Sequence, residues 1–344
     1  MKKRIWATGA VLLLTLALTA CGGNKEDSSV NGASEANQAT TATEANAAAG
    51  SNAGGTEQAA QQAQGTRTIQ YLDKSYEVPA NVERIVITGA MEAMEDALVL
   101  DVHPVGAITY SGTFPERFAA ITDGAESIGE KTQPNFETIL QLKPDLILGS
   151  TKFPEEVSEQ LVKIAPTILV SHQAVNWEDN LRLLAEVTGK QDAAEQAIQQ
   201  YQSDLEGAKA TLTEKLDDQT VMAIRIRTGK LFIYPESVFF NPILYGDLGL
   251  KAPAEVSAAK AQEEITIEQL ATINPDQLFI QFAADENKET ETALDEFLKN
   301  PIIKNVAAVK NEKVYVNVID PLSEGGPAWS RIEFLKAALE RLTE

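Results

Sequence analysis

Two arginines one residue apart, Arg225 and Arg227, end a β-patterned run (Thr220–Arg227) just before Thr228 and Gly229. A period of two places both side chains on one face of the strand. Guanidinium groups so placed repel each other unless an anion or a carboxylate lies between them, so the pair is a candidate anion site. An edge-strand pair that is solvated or salt-bridged is the competing reading. Tyr234, Phe239 and Phe240 follow the arginines, Tyr110 and Lys152 follow predicted strands earlier in the chain, and Asp320 to Ser323 precede Gly325-Gly326. Loops after strands are where open α/β sheets present ligand contacts, which makes these residues binding candidates, with core packing the alternative for each aromatic. Trp177, beside Glu178-Asp179, reads as structural, and Trp329 as either.

Several chemistries are excluded by what is missing. The only histidines are His103 and His172, in different predicted loops, so a direct zinc or manganese site is not expected. No Gly-x-Ser-x-Gly elbow, P-loop or His–Glu metal motif is present, so no enzyme and no cofactor are expected. With 50 acidic against 29 basic residues and a net charge of −21, the chain is a poor nucleic-acid binder.

The N-terminus carries its own chemistry. Lys2, Lys3 and Arg4 precede an apolar run, Ile5 to Ala20, shorter than the about 20 residues a spanning helix needs. The run ends in Leu18-Thr19-Ala20-Cys21, which resembles the bacterial lipobox, where the Cys thiol is alkylated by diacylglycerol and becomes the new N-terminus. The other reading is an ordinary secretory peptide with a chance Cys, but Cys21 is the only cysteine and sits where lipidation requires it. Residues 1–20 are thus expected to be a lipoprotein signal peptide and residues 21–65 a lipidated Cys followed by a disordered tether. From Gly22 to Gly65 the tether has no aromatic residue and too little apolar surface to fold.

The remaining chain contains an internal duplication. Asn135-Phe-Glu-Thr-Ile-Leu-Gln-Leu-Lys-Pro-Asp-Leu-Ile-Leu148 aligns with Thr266-Ile-Glu-Gln-Leu-Ala-Thr-Ile-Asn-Pro-Asp-Gln-Leu-Phe279 under one constant offset, pairing Glu137 with Glu268. Each copy predicts a short amphipathic helix, a Pro-Asp turn and a buried strand. Strands are predicted at Val82–Thr88, Pro104–Thr109, Thr167–Val170, Thr220–Arg227 and Lys313–Val318, with helices at Ala90–Leu100, Trp177–Thr188 and Ala328–Leu342. The alternation argues for an α/β fold with mostly parallel, helix-covered sheets. Ile198, Tyr201, Leu205, Ala208, Leu212 and Leu216 line one face of a long helix from about Gln191. The expected organisation is an N-terminal lobe (66–190), a linker helix (191–217) and a C-terminal lobe (218–344). A cleft separates the lobes, and the stiff helix limits their closure.

Together with the lipobox, Val82-Glu-Arg-Ile-Val, the Phe136–Leu148 motif, Asn300-Pro-Ile-Ile-Lys-Asn-Val-Ala-Ala-Val-Lys310 and Lys313-Val-Tyr-Val316 resemble the class III solute-binding proteins of ABC importers. These serve ferric siderophores, haem and cobalamin. The resemblance implies an extracytoplasmic monomer, held to the cell membrane by its lipid, that hands its ligand to a dimeric permease. It also implies that Glu137 and Glu268 pair with permease arginines, the other reading being that each is a helix-start acid favoured by the dipole. In the resembled siderophore binders the strand end at Arg225 and Arg227 lies in the cleft, with Arg227 the strongest candidate. The guanidinium fork suits hydroxamate, catecholate or carboxylate oxygens around Fe³⁺. A ferric siderophore is the expected ligand, with cobalamin or haem as alternatives and a structural or signalling lipoprotein as the rival of another class.

Overall fold

The computed structural model describes residues 65–343, so the signal peptide, Cys21 and nearly all of the tether lie outside the described residues. A hairpin of β1 (Thr66–Tyr71) and β2 (Lys74–Pro79) precedes two larger sheets. The first sheet holds β3 (Ile85–Ile87), β4 (Gly106–Thr109), β5 (Glu126–Glu130), β6 (Gln133–Pro134), β7 (Leu146–Ser150) and β8 (Thr167–Val170) in the order β6-β5-β4-β3-β7-β8. Its pairings are parallel except β5 with β6. The second sheet, β11-β10-β9-β12-β13, consists of β9 (Val221–Arg227), β10 (Lys230–Ile233), β11 (Glu263–Ile265), β12 (Gln277–Phe282) and β13 (Val314–Val316). Here β9, β12 and β13 are parallel, while β10 runs antiparallel to both neighbours.

The helices that position the site are α1 (Met91–Leu100), α2 (Phe136–Leu142), α3 (Trp177–Thr188), α4 (Gln191–Lys215), α5 (Ile267–Ile273) and α6 (Ala328–Thr343). The duplicated motif folds the same way twice. Asn135 and Thr266 each accept a hydrogen bond from the third backbone N–H of their helix, at 3.1 Å in both cases. Lys143 and Asn274 end the two helices in the left-handed region, at φ 45° and 50°. Asp145 of the first Pro-Asp turn accepts from the backbone N–H of Glu83 and Arg84, and Asp276 of the second accepts from that of Thr220. Each Pro-Asp turn therefore pins the start of the neighbouring parallel strand, β3 in one sheet and β9 in the other.

The long helix runs for 25 residues, about 38 Å at 1.5 Å per residue, and buries Ala194, Ile198, Tyr201, Ala208 and Leu212. The C-terminal helix α6 packs against both α4 and α1, so the end of the chain returns to the first sheet's layer of helices. Glu95 of α1 fixes this crossing. Its carboxylate accepts from the Ser330 backbone N–H at 2.9 Å and from the Ser330 hydroxyl, at the N-terminal turn of α6, where the helix dipole favours negative charge. Burial pushes the Glu95 carboxyl up to about 7, against the pull of Arg117 and Ser330. A second tie joins Arg331 of α6 to Asp247. Tyr201 of α4 donates to the same carboxylate at 2.6 Å, and the Arg331 guanidinium lies 5.2 Å from the Trp177 ring centroid.

The second sheet departs from the expected pattern on one side. The segment after Arg227 does not cross over to a parallel strand but turns back at once, with Arg227 paired to Lys230. Thr228 and Gly229 both have positive φ, 48° and 74°, the requirement of a two-residue I′ turn.

Candidate functional site

The hairpin at Thr228-Gly229 builds the cationic wall of a cleft of ≈ 400 Å³. A β-branched residue at positive φ is disfavoured, and the turn is held by the segment after β12. Thr228 N–H donates to the Glu286 carbonyl (3.1 Å) and Gly229 N–H to the Asn287 side chain (3.1 Å). Asn287 in turn donates to the carbonyls of Ile226 and Ala283. This clamp delivers the carboxylate that two adjacent arginines require. Glu286 lies between them, 2.8 Å from Arg225 Nε and 3.1 Å from an Arg227 Nη. The two are nevertheless unequal. The Arg225 side chain is 9% exposed and committed to Glu286, whereas that of Arg227 is 39% exposed and also donates to Gln262 at 2.9 Å.

Tyr234 and Phe239 complete this wall. The Tyr234 hydroxyl donates to Gln262 at 3.0 Å, and its ring lies 4.7 Å from that of Phe239. Burial pushes the Tyr234 phenol up, while Arg225 and Arg227 pull against it. Phe240 leaves the wall for the core, stacking on Phe334 of α6 at 4.1 Å.

The opposite wall comes from the first sheet. Lys152 follows β7, and its ammonium stands 3.8 Å from both Glu92 of α1 and Glu324. Lys131, in the tight turn between β5 and β6, forms an ion pair with the other oxygen of Glu324. Burial opposes the Lys131 charge, yet Glu324 outweighs it and holds the amine above its usual value. Burial and the Glu324 charge push the Glu92 carboxyl up, Lys152 resisting. His172 also lines the cleft, its Nδ1 2.8 Å from the Thr151 hydroxyl. Burial and Lys152 hold it below the usual histidine value.

Arg225, Arg227, Tyr234, Phe239 and Lys152 are thus brought together around one cleft. Tyr110 stands apart from that lining and donates its hydroxyl to the Met91 sulfur at 3.2 Å. Trp177, read from the sequence as structural, is buried edge-on against Tyr201 at 5.2 Å but also shows one face to the cleft. Lys131, Glu92, Glu286 and Glu324 escaped the sequence reading, because nothing in their local sequence sets them apart from solvated surface charges. Glu324 sits one residue beyond the stretch singled out before Gly325-Gly326. Glu137 and Glu268 do not belong to the cleft. They occupy equivalent, exposed positions in the first turns of α2 and α5.

The cleft can hold a ligand rich in anionic oxygens. It presents Lys152 from one wall, Arg225 and Arg227 from the other, and aromatic surface from Tyr234, Phe239 and Trp177. Residues 87–317 match the family model described as periplasmic binding protein. The iron-uptake system-binding protein of Bacillus subtilis (strain 168) is 48% identical over 342 residues, 99% of either chain. The iron(3+)-hydroxamate-binding protein FhuD of the same organism is 25% identical over 362 residues, 98% of either chain. Among solved structures, the triscatecholate siderophore-binding protein FeuA from Bacillus subtilis, in complex with ferri-bacillibactin, is 53% identical. It covers 80% of this chain and 98% of its own, with a TM-score of 0.75.

Proposed function

This chain belongs to the periplasmic binding protein family, and we propose that it captures a ferric siderophore of the tris-catecholate class and delivers it to an ABC-transporter permease. The observation that carries the reading is the set of cations lining the cleft, Lys152 on one wall and Arg225 and Arg227 on the other, with Lys131 reaching the cleft's edge through Glu324. A ferric tris-catecholate is a trianion whose six oxygens bind the iron and keep lone pairs accessible to hydrogen-bond donors at its surface. Lysine and arginine donors on opposite walls can reach different catecholate rings at once, each contact being a charge-assisted hydrogen bond. A neutral ferric hydroxamate has less to gain from such a set of cations. Similarity to FeuA, crystallised with ferri-bacillibactin, supports the same ligand class.

In this reading the chain works by binding and release, without chemical turnover, and iron arrives only as part of the ligand. Arg227 makes the principal contact of the second wall, since Arg225 is committed to Glu286. Glu137 and Glu268 lie outside the cleft and dock the permease. Their matched positions in the two repeats suit a two-fold membrane partner, and such charges set orientation more than affinity. Cys21 carries the lipid that holds the protein outside the cytoplasmic membrane.

Fluorescence titration of the mature protein tests the capture step, because Trp177 faces the cleft. An iron(III) tris-catecholate should quench the emission with near one-to-one saturation, and Arg227→Ala should weaken it by about 1.5–3 kcal/mol. Absence of response to tris-catecholate, tris-hydroxamate and citrate complexes of iron alike would overturn the siderophore assignment.

A further inference from the structure

The two carboxylates among the cleft cations differ in what they are tied to. Glu286 belongs to the same sheet region as Arg225 and Arg227, and its own backbone carbonyl holds the turn that follows them. Glu324 reaches the other way. It lies in the segment joining β13 to α6 and pairs with Lys131 and Lys152, both of which belong to the first sheet.

The backbone around Glu324 is anchored from three sides. Gln281 of β12 donates its Nε2 to the carbonyls of Asp320 and Ser323, at 3.1 Å each. Arg117, from the first-sheet side, donates to the Asp320 carboxylate at 2.5 Å. Gly325 sits at φ +75°, so close to Phe239 that a Cβ would stand 2.4 Å from the Phe239 carbonyl oxygen. Only glycine fits there. The peptide is therefore fixed, while the Glu324 side chain keeps its three torsions and is 30% exposed. It can swing away from the lysines without moving the loop.

We propose that Glu324 is a built-in competitor of the ligand: it occupies Lys131 and Lys152 in the empty protein, is displaced by the ligand's anionic oxygens, and returns as the ligand leaves. The proposal rests on the siderophore reading and adds to it a device for release. Burial works against the Glu324 charge, but Lys131 and Lys152 outweigh it and hold the carboxyl well below the usual range, so the competitor is ionised at any physiological pH. The contact with Lys152, at 3.8 Å, is loose, and a doubly charged catecholate can replace it with a closer one. The capture protein then binds its ligand less tightly than the same cations would without Glu324, and gives it up faster. The contrary role, a scaffold that holds the lysines in the geometry the ligand needs, predicts the opposite sign.

Glu324→Gln decides between the two, since it keeps the shape and removes the charge. The mature variant should bind an iron(III) tris-catecholate roughly fivefold more tightly than wild type, the weight of about one partly exposed ion pair. The gain should lie mainly in slower dissociation, read by stopped-flow fluorescence. Glu324→Asp, which keeps the charge but draws it back from Lys131, should fall between. A neutral iron(III) tris-hydroxamate should gain much less. Unchanged or weaker tris-catecholate binding by Glu324→Gln, with wild type binding normally and both proteins melting at the same temperature, overturns the competitor role and leaves the siderophore reading intact. Failure of wild type itself to bind any ferric chelate removes both.

Discussion

Arg331 and Asp247 form a strut whose two halves should cost unequal amounts to remove. The Arg331 side chain is 4% exposed and that of Asp247 27% exposed. Arg331 lies over the rings of Trp177 and Tyr201, 5.2 and 5.9 Å from their centroids, and reaches the Ala174 carbonyl at 3.4 Å. Arg331→Met breaks the pair but leaves Asp247 with the Tyr201 hydroxyl at 2.6 Å and access to water. The cost should sit at the low end of the range for breaking a buried pair, about 3 kcal/mol. Loss of the ring contacts adds about 0.5–1 kcal/mol. Asp247→Ala instead strands a buried guanidinium whose Nε already lacks a partner, and should cost about 5 kcal/mol. At about 2–4 °C per kcal/mol for a domain of this size, the melting temperature should fall by roughly 10 °C in the first case and further in the second. The double variant Arg331→Met with Asp247→Ala should melt above Asp247→Ala alone, because no charge is left unpaired. Scanning calorimetry on the four proteins reads all of this. A fall of less than about 3 °C for Arg331→Met, or equal costs for the two single changes, would refute the reasoning that burial of the arginine sets the energetics.

Two further outcomes follow from the proposed delivery pathway. Glu137→Ala with Glu268→Ala should leave chelate affinity unchanged while nearly abolishing iron accumulation by cells. Normal accumulation, with at most about 0.3–1 kcal/mol lost per site, would mark both residues as helix-start acids only. Cys21→Ala should shift the protein from the membrane fraction to the medium or leave it unprocessed, and undiminished membrane retention would remove the lipid anchor.

Much of the scaffold was legible because its signals are local. The boundaries Thr167–Val170 and Trp177–Thr188 agree with the periodicity and the Gly189 stop, since Gly189 takes the left-handed cap at φ 72°. The repeat disclosed two copies of one helix–turn–strand unit, down to the acid at the second helical position. The β9–β10 hairpin was not legible: Arg227 read as a binding candidate at the end of a strand, with no sign that the chain turns back directly after it. Thr is a poor residue at positive φ, so Thr228-Gly229 gave no hairpin signal, and it takes the I′ turn because Glu286 and Asn287 hold it there. That clamp also answers the question posed by two adjacent arginines. The sequence required a carboxylate or an anion between them, but Glu286 is 61 positions from Arg225 in the chain.

By itself, then, the amino-acid sequence determined the α/β class, the duplication and the arginine pair, all of which follow from backbone periods and caps spanning a few residues. The partners of the cleft's charges were decided only by tertiary structure. Lys131 and Glu324 are 193 positions apart and meet because α6 leads the chain back across α1 and because Gly325 admits the close approach to Phe239. A charge in a sequence is mute about its counter-ion, since the Coulomb interaction depends on distance and burial that packing alone supplies.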